Sequence, residues 1–159
     1  MKLALPAPLR HGCERGLASL RELLLLALRL YIASVFFKSG LTKIQDWQGT
    51  LALFQYEYSV PLLPPALAAA AGTAGELLFS ALLALGLSGR FAALGLGIVN
   101  AMAVLSYPAL WGFECPAAIQ SHFFWAGSLL FLLAFGAGAL SVDAVLARWR
   151  GCSAAREGR

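Results

Sequence analysis

Residues 65–87 form an apolar stretch with a single charged side chain, Glu76, near the middle. As a helix such a stretch rises about 1.5 Å per residue, enough to cross the roughly 30 Å hydrocarbon core of a bilayer. A carboxylate at that depth is costly, so it requires a partner, a proton or a ligand. Residues 23–40, 91–110 and 123–138 are three further apolar stretches of similar character. Lipid offers no hydrogen bonds to exposed backbone, so each must be a helix. A β-barrel would need alternating polarity, and these runs do not alternate. The expected fold is all-α, a polytopic four-helix transmembrane bundle.

Composition agrees. Hydrophobic residues make up 60% of the chain and charged residues 13%, against about 25% charged in soluble domains. The 159 residues suffice for one domain. We divide the chain into a basic arm (1–22), a membrane domain (23–147) and a basic tail (148–159). Arg29 and Lys38 interrupt the first stretch and no small-residue cleavage site follows, so it reads as a retained span and not a signal peptide. The net charge of +4 is spread without a dense basic stripe, which argues against a nucleic-acid partner. Lys2, Arg10, Arg15, Arg21, Arg90, Arg148, Arg150, Arg156 and Arg159 fall on one side of a four-span topology, and Lys43 falls on the other. By the positive-inside rule both termini are expected in the cytoplasm of a bacterium, with the bundle in the inner (plasma) membrane.

Between the spans, Pro6 and Pro8 discourage regular helix in the arm, which is expected near anionic headgroups. In the first outer loop Trp47, Leu51 and Phe54 recur at helical spacing, and a short interfacial helix is expected there. Trp47, Tyr56, Tyr58, Tyr107, Trp111 and Trp125 map to the outer boundary and read as an aromatic belt, with a stacking surface for a flat ligand as the alternative. Ala71 and Gly75, and Ala93, Gly97 and Ala101, are stripes of small residues that permit close helix approach within one chain or in a homodimer. Gly86 and Gly89 flank a tight turn. Gly136-Ala137-Gly138 reads as a break after which Ser141 caps a new helix with Asp143 in its first turn.

Depth and rotation select the candidate site. Counting from residue 23, Arg29 lies roughly 9 Å into its span and Lys38 roughly 22 Å; counting back from residue 87 at the same side, Glu76 falls between them at roughly 16 Å. At 100° per residue Arg29, Phe36, Gly40 and Lys43 share one face, while Lys38 points away and snorkels to the headgroups. An intramembrane cluster of Arg29, Glu76 and Asn100 is therefore expected, as a register clamp or a proton or ligand site. Lys38, Lys43, Arg90 and His122 are secondary candidates. Cys115 sits alone on the outer side and Cys13 and Cys152 on the inner, so no intrachain disulfide is expected. Cys115 and His122 are too few for a closed zinc site, and no metal is assigned. The sequence shows no nucleophile–base motif, phosphate loop, haem motif or dinucleotide fingerprint.

Phe36-Phe37-Lys38-Ser39-Gly40-Leu41-Thr42-Lys43-Ile44 is similar to the aromatic-rich stretch, ending in Gly-x-x-Lys, of the DoxX family of small four-helix membrane proteins. The likeness continues through Pro61, Gly75-Glu76-Leu77, the run 85–93, His122, Trp125 and the run 135–143. Together these cover residues 28–146, and in them the chain resembles that family. The resemblance implies the membrane fold and marks Arg29, Lys43, Glu76 and Arg90 as family positions. Because the family is named for a subunit of a thiosulfate:quinone oxidoreductase, it also implies a redox-associated subunit, quinone- or thiol-linked, with quinone as cofactor and a redox partner supplying electrons. Any enzymatic role is at most that of a subunit. The alternatives are a small transporter, for which the polar cluster would form a pathway, and a non-catalytic assembly factor acting through its outer loops and Cys115.

Overall fold

Pro65 and Pro116 each occupy the first position of a long helix, where a missing N–H costs nothing. The computed structural model describes residues 7–112 and 116–157, with side chains for 14–112 and 116–150. Among these residues the chain forms α1 (Ala7–Gln45), α2 (Trp47–Tyr56), α3 (Pro65–Leu85), α4 (Gly89–Ser106), a 3-10 turn (Pro108–Trp111), α5 (Pro116–Phe135) and α6 (Val142–Glu157). Strands are absent from the described residues. Helices α3, α4 and α5 are long and apolar enough to cross a membrane.

Four helices pack in a ring: α1 on α3, α3 on α4, α4 on α5, and α5 back on α1. Each neighbouring pair is antiparallel. Along α1 and α3, Arg29 meets Gly86 while Gly40 meets Glu76 and Leu77. Along α4 and α5, Arg90 meets Ala134 while Asn100 meets His122. The α1 face that turns inward carries Leu25, Arg29, Ile32, Ala33 and Phe36, spaced by three or four, and packs with Leu83, Leu96, Leu129 and Leu132.

Several boundaries differ from the sequence reading. The arm is helical from Ala7, because Pro8 falls in the first turn, where proline is tolerated. Helix α4 stops at Ser106 because Pro108 follows. Helix α5 starts at Pro116, which puts His122 in its second turn and not at its opening. The small-residue stripe of α4 is split within this chain: Ala93 lies in the core, Gly97 has open space around it and Ala101 is exposed, while Gly95 receives Phe79 and Gly75 receives Val99. Helix α2 forms as expected, with Asp46 accepting from the Gly49 N–H at 2.9 Å. It packs on α3 through Phe54 against Ala68 and Ala69.

One end of the bundle is closed by a network of polar contacts. Gly86 ends α3 in the left-handed conformation, φ 68°, and the Leu87 N–H returns to the Leu82 carbonyl. Ser88, which precedes α4, gives no side-chain cap. Asp143 of α6 supplies it instead, its carboxylate accepting from the Ser88 N–H at 2.8 Å and the Gly89 N–H at 3.0 Å. Gly136 and Gly138, both at positive φ, turn the chain out of α5, and Ser141 caps α6 by accepting from the Ala144 N–H. Asp143→Ala is expected to cost about 1–2 kcal/mol, the usual worth of a lost N-cap, with Asp143→Asn milder. Thermal unfolding in detergent would show this, and an unchanged midpoint for the alanine variant would rule the cap out.

Candidate functional site

Gly40 brings α1 against α3 at the level of Glu76: a Cβ there would come within 2.8 Å of the Leu77 side chain. One turn further along α1, the Lys43 Nζ reaches both Glu76 carboxylate oxygens at 2.6 Å. Ser39 completes the group, donating to Glu76 at 3.2 Å and accepting from Lys43 at 2.9 Å. Glu76 is 7% exposed. Thr50 of α2 donates to the Lys43 carbonyl, which ties α2 to the same spot.

The expected Arg29–Glu76–Asn100 cluster is thus divided among three places. Arg29 is buried, 2% exposed, but its guanidinium donates to the carbonyls of Ala137 and Leu140, beyond the end of α5. It is level with Gly86, ten residues along α3 from Glu76, or about 15 Å of helix. Helical periodicity gives the inward face of α1, and the structure sets a different depth. Counting from residue 23 sets α1 too deep relative to α3, and the true register puts Lys43 beside Glu76. Asn100 pairs with His122, its amide donating to the His122 carbonyl at 3.1 Å and its oxygen lying 2.7 Å from His122 Nδ1. Lys38 is exposed. Arg90 donates to the Ala134 carbonyl at 3.3 Å. Cys115 and the side chains of Cys13 and Cys152 lie outside the described residues.

Beside the Lys43–Glu76 pair is a cavity of about 250 Å³ between α3, α4 and the segment 57–64. Lys43, Glu76, Tyr58, Val99, Met102 and Ser106 are among the residues that line it. Drug-sized ligands occupy about 300–1,000 Å³, so this volume suits one ring or the end of a chain. Tyr58 is sandwiched between Phe54 (centroids 4.6 Å) and Tyr107 (4.9 Å). Two residues read as belt are therefore cavity structure: Tyr58 forms the wall and Tyr107 braces it, its hydroxyl donating to Glu57 at 2.9 Å. Trp125 likewise packs edge-on against Phe36 and His122. The aromatic spacing that could have revealed the stack spans two distant segments, which periodicity within one helix does not report.

Burial first, then Tyr107, Glu76 and Glu57, pushes the Tyr58 phenol up to about 12. Between pH of about 10 and 12 the folded chain keeps a proton that the unfolded chain has lost, so stability falls as pH rises through that window. Alkaline absorbance titration of Tyr58→Phe should lose a phenol that ionises near 12, and its survival would refute the assignment. Lys43→Met strands a buried carboxylate and is expected to cost about 3–5 kcal/mol. Adding Glu76→Met should restore most of that, as read by unfolding in mixed detergent; a double variant no more stable than the single would break the pairing.

Residues 24–109 match the family model described as DoxX. An uncharacterized protein of Haemophilus influenzae is 35% identical to this chain over 127 residues, 77% of this chain and 82% of the relative. No solved structure matches.

Proposed function

The chain belongs to the DoxX family, and from that premise we propose that this membrane protein is a quinone-binding subunit of a membrane oxidoreductase. The observation that carries this reading is the apolar cavity walled by Tyr58 and bordered by the Lys43–Glu76 pair. The cavity suits the quinone ring in volume, and its rim of aliphatic residues suits an isoprenoid tail. Lys43 and the Tyr58 hydroxyl are the polar groups that would meet the ring, and Glu76 holds Lys43 in place. The bound quinone would accept electrons delivered by a partner subunit. What this chain contributes is a site for the ring within the membrane, screened from water by α2 and the segment 57–64.

Helix α1 acts as the fourth span in this proposal, alongside the three apolar helices, and the polar-capped end faces the cytoplasm of a bacterium. Arg15, Arg21, Arg90, Arg148 and Arg150 belong to that end, in keeping with the positive-inside rule.

Purification in native lipid followed by solvent extraction should recover quinone with the protein. Gly72→Leu, which fills the cavity from α3, should abolish binding of decylubiquinone, and Glu76→Gln should weaken it. Protein that carries no quinone, together with decylubiquinone binding indifferent to both variants, would reject the proposal.

A further inference from the structure

Ser106 is the last residue of α4, 1% exposed, and it lines the cavity. Its carbonyl accepts from the Ser59 N–H at 2.7 Å, which fixes the backbone. Its hydroxyl has no hydrogen-bond partner among the described residues. This sets it apart from Thr42, Thr73, Ser80, Ser121 and Ser128, each of which donates to the carbonyl of the preceding turn. A buried hydroxyl is costly to leave unpaired, and Ser106 is among the residues that line the cavity. The second constraint is electrostatic. Lys43 and Glu76 are the charged residues that line the cavity, and each already neutralises the other at 2.6 Å. An ionic ligand would give up its hydration there and find no unmatched counter-charge.

We infer that Ser106 is a further hydrogen-bonding contact for the ligand, beside Lys43 and Tyr58, and that the cavity accepts only a neutral molecule with a carbonyl or hydroxyl oxygen on an apolar body. This rests on the proposal that the cavity is a ligand site. It adds a residue that reads the polar group and the exclusion of ions.

The test uses the full chain in lipid nanodiscs and three probes: decylubiquinone, the non-quinone 4-hexylphenol, and anionic 4-hexylbenzoate. Titration calorimetry against empty discs gives the affinities. Ser106→Ala should weaken both neutral probes about fivefold, the worth of one hydrogen bond, and 4-hexylbenzoate should not bind. Ser106→Thr, which keeps the hydroxyl, should retain most of the affinity. Without ligand, Ser106→Ala should melt no lower than the parent, because it removes a group that has no partner among the described residues. If 4-hexylphenol binds through Ser106 and decylubiquinone does not, the quinone reading fails and this inference stands. If decylubiquinone binds parent and Ser106→Ala equally, or 4-hexylbenzoate binds as tightly as the phenol, the inference fails and the quinone reading stands. A lower melting point for Ser106→Ala would show a structural bond and overturn it. Binding of none of the probes would overturn both.

Discussion

A carboxylate among apolar helices has to be neutralised where it stands, and the pairing of Lys43 with Glu76 sets how α1 lies against α3. A shift of one residue along α1 would move Lys43 about 1.5 Å and rotate it 100° away. The pair and Gly40 therefore act together: the glycine lets the helices approach, and the charges choose the level at which they do so. The cavity follows from the same fit. Glu76 directs its charge toward α1, which leaves the α3–α4 side lined by small and apolar residues.

The two ends of the bundle solve different problems. At one end the backbone has to turn twice, after α3 and after α5, and polar side chains stop the exposed groups from going unpaired. Arg29 serves carbonyls there, Asp143 serves amides, and Glu22 accepts from the Ala139 N–H. At the other end aromatic rings stack over a space they do not fill. The first arrangement favours rigidity, and the second leaves room for a guest.

Much of this was legible in the sequence, and the errors share one cause. Hydrophobic length located the helices, and 100° periodicity correctly placed Arg29, Phe36, Gly40 and Lys43 on the inward face, with Lys38 outside. The turn at Gly86 and the break at Gly136 followed from glycine's access to positive φ. Depth was the weak coordinate. The apolar run of α1 begins at residue 23, but Arg29, six residues further on, is the residue level with Gly86 at the end of α3, so measuring from residue 23 sets Arg29 too deep beside Glu76. The pairing of Asn100 with His122, and the stack of Phe54, Tyr58 and Tyr107, join separate segments and depend on tertiary register.

The cap that Asp143 places on α4 spans more than fifty residues of chain. In a growing polypeptide the α3–α4 hairpin is made before α6. Until α6 follows, the amides that begin α4 lack this carboxylate, and only its arrival completes them. A helix made later thus finishes one made earlier, so this bundle cannot mature strictly in the order of its helices.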